Sequence, residues 1–197
     1  MTEIDTRLQI IEAAEVLFNQ YGYGKTTMAE IARDCDMSAA NLYRYFESKL
    51  DIGAALAHQC LVEKEQGLEL IVEDDSMSCA EKLEAFVLFI LNHTYHHVES
   101  HPKLSELIEA MTVQRPEVIL SHRQSKLRLL RELLALSQQS GEFDFVDLDE
   151  TAEAINTAIT AFYLPTVMSM YSLEEFEQKA RSVCNLILNG LLSSSKV

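Results

Sequence analysis

Side chains suited to nucleic-acid recognition cluster in one segment, residues 25–49, which reads KTTMAEIARDCDMSAANLYRYFESK. Asparagine can pair bidentately with adenine and arginine with guanine, and small side chains allow close approach to bases or thymine methyl groups. In this segment those residues are Asn41, Arg44, Ala39 and Ala40. Their types and spacing favour contact with the base edges of DNA.

Other side chains of the same segment suit the phosphate backbone. Thr27 and Lys49 each begin a predicted helix, where free amides and the positive end of the helix dipole favour phosphate. The hydroxyls of Tyr43 and Tyr45 add donors, and such contacts fix position without reading sequence. The predicted DNA-binding residues are Lys25, Thr26, Thr27, Ser38, Ala39, Ala40, Asn41, Tyr43, Arg44, Tyr45 and Lys49.

Two short predicted helices position these side chains. Thr27 and Glu30 have the spacing of a capping box, and Ser38 can cap the second helix. Residues 35–37 separate the two helices, which is the length that a helix-turn-helix needs. The second helix of such a unit lies in the major groove. From the residues alone, a short helical hairpin that binds no DNA is an equal alternative.

The segment resembles the DNA-binding domain of TetR-family transcriptional regulators. The matching positions are Gly22 and Gly24, Thr26-Thr27, Ile31-Ala32, Ser38, Leu42-Tyr43-Arg44-Tyr45-Phe46 and Ser48-Lys49. The resemblance implies that Thr27, Tyr43, Tyr45 and Lys49 hold phosphates and that residues 38–41, with Arg44, read bases. Asp36 stands where the family usually has a turn glycine, and Ala40 where glycine is frequent.

The rest of the chain is predicted to be helical. Apolar residues recur every three or four positions almost throughout the 197 residues, so we expect an all-α protein of about nine helices. Pro165 falls inside the predicted helix 148–170 and should kink or interrupt it. We predict a DNA-binding domain over residues 1–50, with its motif at about 27–46, and a regulatory domain over residues 51–197.

The resemblance implies that the regulatory domain binds a small-molecule inducer and forms a homodimer through its last two helices. The predicted dimer residues form apolar stripes: Ile155, Ile159, Phe162, Phe176, Ala180, Val183, Cys184, Ile187, Leu188 and Leu191. Ala154, Ala158 and Ala161 would allow close helix approach. The predicted pocket is mainly apolar, with Phe86, Phe89, Ile90, His93, Met111, Leu127, Phe162 and Met168 as candidates.

Other functions are less well supported by the residues. His93 and His97 lie one helical turn apart and could chelate a metal, so a metal-sensing regulator is an alternative. A helical protein-interaction module without DNA binding is another. No phosphate-binding glycine loop or GxSxG motif is present, so we expect neither an enzyme nor a cofactor. Without an apolar run of about 20 residues, we expect a cytoplasmic protein that does not associate with membranes.

The net charge of −15 qualifies the DNA-binding prediction. Residues 1–50 hold five basic and eight acidic side chains, a net −3, which leaves −12 for residues 51–197. Most of the acidity therefore lies outside the proposed DNA-binding domain. An acidic body would suppress non-specific binding to nucleic acid, so affinity should depend on a few specific contacts.

Overall fold

The structure is a computed structural model that describes residues 3–101 and 103–191. These residues form ten α-helices and no strand. In chain order the helices are α1 (Glu3–Tyr21), α2 (Met28–Asp34), α3 (Ala39–Leu42), α4 (Lys49–Glu73), α5 (Cys79–Ser100), α6 (Leu104–Gln114), α7 (Pro116–Ser140), α8 (Leu148–Ala158), α9 (Pro165–Met168) and α10 (Leu173–Leu191). The all-α prediction is confirmed.

One predicted helix is divided in the structure, which explains why ten α-helices replace about nine. The segment predicted as 148–170 forms α8, a 3-10 turn at Thr160–Tyr163, and α9. Pro165 occupies the first turn of α9, where its missing N–H costs no helical hydrogen bond. The interruption begins upstream, at Ile159, where α8 ends.

Local capping fixes where several helices begin. At α5, the amide of Ser78 donates to Glu81, and the Glu81 amide donates back to the Ser78 hydroxyl. Ser172 and Glu175 repeat this arrangement at α10. These reciprocal bonds satisfy amides that a helix N-terminus otherwise leaves unpaired.

The chain divides into two compact units. The first comprises the described residues of Met1–Val62 and Val98–Ser121, and the second those of Glu63–His97 and His122–Val197. Helices α4, α5 and α7 each contribute residues to both units. This division follows packing alone, so the predicted functional boundary near residue 50 stays a prediction.

Each unit has its own apolar core. In the first unit the fully buried side chains include Phe18, Ile31, Leu42 and Ile52, so α1, α2, α3 and the start of α4 share one core. In the second unit buried side chains come from α5, α7, α8 and α10, for example Phe86, Leu130, Ile155 and Phe176. Within the described residues no helix is both long and apolar enough to cross a membrane.

Candidate nucleic-acid interface

The α2–α3 pair is held by caps at both N-termini, as the sequence predicts. The Thr27 amide donates to Glu30 Oε2 at 2.8 Å, and the Glu30 amide donates to Thr27 Oγ1 at 3.3 Å. The Thr27 hydroxyl also donates to Glu30 Oε2, and this bond, with that of the Thr27 amide, lowers the pKa of the Glu30 carboxyl. The Asn41 amide donates to Ser38 Oγ at 3.2 Å, which caps α3. Both helix starts are therefore fixed by short-range sequence.

The turn between the helices has left-handed backbone at one residue. Asp36 has a φ of 52°, and among the described non-glycine residues it alone is positive. The Met37 amide donates to the Ala32 carbonyl at 2.9 Å and closes the turn. Aspartate tolerates this geometry better than most residues with a Cβ. The residue that replaces the family's usual glycine thus still adopts the conformation for which glycine is favoured.

The short helix α3 continues as hydrogen-bonded turns to Phe46. The amides of Tyr43, Arg44, Tyr45 and Phe46 each donate to a carbonyl three or four residues earlier. Ser38, Ala40, Tyr43 and Arg44 are exposed, with Tyr43 at 52% of its possible surface. Lys25 and Thr27 are also exposed, and Asn41 is half-buried with Nδ2 4.0 Å from Met37 Sδ.

Besides Asn41, two other predicted contact residues are less accessible than expected. Ala39 and Tyr45 are half-buried and pack against the core of the first unit. The Tyr45 carbonyl accepts a hydrogen bond from the Arg7 guanidinium, which also lies 4.1 Å from the centroid of the Phe46 ring. Arg7 therefore anchors the turns that follow α3 to α1, a role that the sequence analysis missed.

Thr26 is not positioned to contact phosphate. Its side chain is only 2% exposed, and its hydroxyl donates to the Gly22 carbonyl at 3.0 Å. Gly22 ends α1 with a φ of 93°, a backbone conformation that favours glycine. The prediction of Thr26 as a DNA contact is therefore wrong, because its hydroxyl closes the end of α1 instead.

The ammonium of Lys49 is also engaged inside the protein. It donates to the carbonyls of Tyr23, Gly24 and Thr26 at 2.6, 3.3 and 2.7 Å, and lies 4.5 Å from the centroid of the Tyr23 ring. Burial lowers the pKa of Lys49, while Glu106 and Glu30 oppose that shift. An ammonium has three N–H donors, so all are used. The predicted phosphate contact through this side chain is corrected to a structural one.

Helix α6 supplies further contacts within the first unit that the sequence analysis did not identify. The Gly24 amide donates to Glu106 Oε2 at 3.1 Å, and the Lys103 ammonium donates to the Gln20 carbonyl. Arg115, just after α6, forms an ion pair with Asp51 of α4 at 2.7 Å. These residues are far apart in sequence, so no local pattern could have revealed them.

The predicted pocket residues belong to both units. Phe86, Ile90, Leu127, Phe162 and Met168 are buried in the second unit, where Phe89 and His93 are half-buried. Met111 instead packs in the core of the first unit, next to Gly53. The role of these residues in ligand binding stays a prediction.

Most of the predicted dimer residues face the interior of the single chain. Seven of them are buried in it: Ile155, Ile159, Phe162, Phe176, Ala180, Cys184 and Leu191. They therefore cannot contact a second copy while so buried, and their assignment to an interface is corrected. Val183, Ile187 and Leu188 are half-buried, and their role in a dimer stays a prediction.

The histidine pair does not form a metal site with a third ligand. The rings of His93 and His97 stack with centroids 6.4 Å apart and planes inclined by 16°. Over the described ranges, no three histidine, cysteine, aspartate or glutamate side chains converge so as to hold a metal ion. The metal-sensing alternative thus has no support.

Comparison with known proteins gives two family matches. Residues 10–56 match "Bacterial regulatory proteins, tetR family", and residues 79–184 match "Tetracyclin repressor-like, C-terminal domain". The first match contains α2, α3 and the turn between them, and the second extends from the start of α5 into α10.

Individual relatives agree with these matches. The chain is 31% identical over 96 residues to the probable transcriptional regulator YttP of Bacillus subtilis, covering 48% of this chain and 46% of that protein. It is 28% identical over 153 residues to the transcriptional regulator TtgR of Pseudomonas putida, covering 71% of each. The chain thus spans about half the length of YttP.

A solved structure shows the same fold at low identity. The transcriptional regulator from Cytophaga hutchinsonii superposes with a TM-score of 0.71 at 20% identity, over 93% of this chain and 97% of that one. Together with the family match over residues 79–184, which is more than half of the chain, these findings show that the chain belongs to the TetR family of bacterial regulatory proteins.

Proposed function

We propose that the protein is a homodimeric transcriptional repressor that leaves its operator when a small molecule binds. Membership of the TetR family supports the regulatory role. The observation that carries the DNA-binding part is the capped α2–turn–α3 unit, which exposes Ser38, Ala40, Tyr43 and Arg44 together. In a helix-turn-helix these positions lie nearest the major groove.

Two groups of side chains take different roles in this proposal. Arg44 and Asn41 read base edges, since both side chains can form bidentate contacts. Tyr43, Thr27 and Lys25 contact phosphates, together with the backbone amides at the start of α2. The basic side chains at this surface are few, so binding should depend on salt with a modest slope.

Dimerisation is proposed to use the exposed face of α8, the 3-10 turn and α10. Ala154, Ala158 and Ala161 are exposed, and small side chains allow two helices to approach closely. Leu186 of α10 is 75% exposed, so its apolar side chain is accessible to a partner helix. Phe162 and Phe176 pack edge to face behind this surface, with ring centroids 5.2 Å apart, and hold the two segments together.

A ligand is proposed to act through α4. This helix is continuous from Lys49 to Glu73 and contributes residues to both units. A ligand can shift the equilibrium between DNA-binding and released states only by its differential affinity for them. Release therefore requires that the ligand favour an arrangement of α4 that DNA disfavours.

A gel-shift assay with DNA from upstream of its own gene tests the function. We expect a shift at low salt without ligand. The Tyr43→Phe variant, which loses one hydroxyl, should bind all sequences about 3- to 10-fold more weakly. Arg44→Ala should lose about 1–3 kcal/mol, and mainly on the preferred operator.

The matched control is Arg128→Ala, which removes the same charge from α7, a helix outside the proposed DNA-binding and dimer surfaces, where Arg128 pairs with Glu69 and Glu132. It should leave DNA affinity unchanged. The absence of a shift for the wild-type protein, or equal loss for Arg44→Ala on every sequence, would contradict the proposed function or the base-reading role, respectively.

A further inference from the structure

Two lysines are buried in the second unit. Lys64 of α4 is 8% exposed and Lys126 of α7 is 2% exposed, and lysine is rarely buried to this extent. The Lys64 ammonium donates to Thr94 Oγ1 at 2.8 Å. The Lys126 ammonium lies 3.3 Å from the centroid of the Tyr163 ring. The Lys126 ammonium thus lies against the face of a neutral ring, while the Lys64 ammonium has a hydroxyl among its partners.

Two of the neighbouring carboxylates have other partners. Glu65 accepts from His122 Nδ1 at 2.9 Å, and Glu153 forms an ion pair with Arg123 at 2.6 Å. Within the described part of the chain, no carboxylate lies within ion-pair distance of Lys126 Nζ. When it is protonated, Lys126 is therefore a buried cation whose charge no carboxylate of the described residues compensates at close range.

Burial and like charge determine the ionisation of this cluster. Burial, with Lys64 and Arg123 nearby, lowers the pKa of Lys126 to about 7. Burial also lowers the pKa of His122 to about 4 despite Glu65. Burial and the nearby Lys64 lower the pKa of His93, and Glu63 opposes that shift. Removing an ammonium from water costs several kcal/mol, and an anion bound nearby would offset that cost.

An aromatic ring and a buried polar atom without a hydrogen bond lie in the same region. Phe89 lies 5.8 Å from His93 between ring centroids, and its ring occupies the space beside Gly67, where an added Cβ would lie 2.1 Å from Cζ. Gly67 is three residues after Lys64 on α4, so the ring and the ammonium flank the same part of that helix. His93 Nδ1 is buried and makes no hydrogen bond with any described residue.

We propose that Lys64 and Lys126 bind the acidic head group of an amphipathic organic anion whose apolar body packs along Phe89. This inference rests on the proposed function, because it names the chemical class of the regulator's ligand. The expected ligand is then no longer purely apolar, because it carries an acidic group at one end. Small-molecule sites combine an apolar lining with a few polar groups that fix orientation, and here those groups are two cations.

The test uses two probes that share one ring system. 8-Anilinonaphthalene-1-sulfonate is anionic, and N-phenyl-1-naphthylamine lacks the sulfonate. Binding of each to the full chain is titrated by fluorescence for the wild type, Lys126→Met and Lys126→Arg. Lys179→Met is the control, because it removes an exposed lysine from the same unit. Thermal unfolding verifies that each variant is folded.

We expect the wild type to bind the sulfonate more tightly than the neutral probe. Lys126→Met should weaken sulfonate binding about tenfold or more and leave the neutral probe within about twofold. Lys126→Arg should retain most of the preference, and Lys179→Met all of it. Equal affinities of the wild type for both probes, or an unchanged preference in Lys126→Met, would overturn the inference.

The gel-shift assay separates this inference from the proposed function. If the unliganded protein binds DNA but the sulfonate preference does not depend on Lys126, the ligand class is wrong and the function stands. If the protein binds no DNA, the proposed function fails whatever the probes show.

Discussion

At the scale of single residues, the titration of Lys126 links burial to stability. Its pKa is lowered to about 7 in the folded protein, whereas an unfolded lysine titrates near 10.4. Between these values the unfolded chain binds a proton that the folded chain has released. Unfolding then takes up protons, so the free energy of unfolding rises with pH across this window. Below pH 7 both states are charged, and the cost of burial is fully present.

We therefore predict that Lys126→Met removes part of the pH dependence of stability. From pH 7 to about 8.5, the free energy of unfolding of the wild type should rise relative to that of the variant by roughly 1–2 kcal/mol. Urea titrations of both proteins at the two pH values measure this change. Contributions from other groups, such as the thiols, cancel in the difference. If the free energies of unfolding of the two proteins differ by the same amount at both pH values, Lys126 is not a buried cation.

Whether the sequence predicts a contact between two residues depends on how far apart they are along the chain. The bonds of Thr27 with Glu30 and of Ser38 with Asn41 join residues three positions apart, and both are confirmed. Lys126 and Tyr163 are 37 positions apart in the printed sequence, and nothing in their local pattern predicts that they meet. Local capping is therefore readable from sequence, whereas a buried cation is not.

At the scale of elements, the first turn of α4 fixes the loop between α1 and α2. Lys49 donates to three carbonyls of that loop, and Glu106 of α6 accepts from the Gly24 amide. The loop precedes Thr27, the N-cap of α2, so its position bears on that of the recognition unit. Lys49 and α6 thus support the proposed DNA-binding surface through contacts within the protein.

This arrangement predicts different outcomes for two lysines of the same region. Lys49→Met leaves loop carbonyls without a donor and should lower the free energy of unfolding by about 1–3 kcal/mol. The exposed Lys25→Met should change it by less than about 0.5 kcal/mol. Urea denaturation measures both effects.

DNA binding provides the second measurement for this pair. Lys25→Met should weaken binding about equally on all sequences and reduce the salt slope by about one, as for a phosphate contact. Lys49→Met could instead keep full stability and reduce the salt dependence of DNA binding as Lys25→Met does. Lys49 would then be a phosphate ligand, and the structural role assigned to it would be contradicted.

An amphipathic stripe on a helix does not show whether it packs inside its own chain or against a second copy, as the dimer prediction illustrates. The residues of α10 at spacing three and four, such as Phe176, Ala180 and Cys184, do share a face, as the sequence predicts. That face is buried in the chain's own core, since the α8 segment supplies Phe162 against Phe176. Periodicity identifies a buried face, but whether the same chain or a second copy buries it depends on tertiary packing.

At the scale of the whole molecule, the proposed mode of DNA binding requires two copies of the chain. A single recognition helix contacts one half-site, and symmetric operators place two half-sites about 34 Å apart. The net charge of −15 disfavours non-specific contact with DNA, so two specific surfaces must act together. Dimerisation and operator affinity should therefore be lost together.

We predict that Ala158→Arg, on the exposed face of the α8 segment, produces monomers. A long charged side chain would prevent the close helix approach that alanine allows, while its exposure in the single chain spares the core. Sedimentation velocity should show half the wild-type mass, and operator binding should fall at unchanged thermal stability. Gln139→Arg, which adds the same charge to an exposed position of α7, should remain dimeric. An Ala158→Arg protein that stays dimeric would place the interface elsewhere, because a buried arginine at a close helix contact could not be accommodated there.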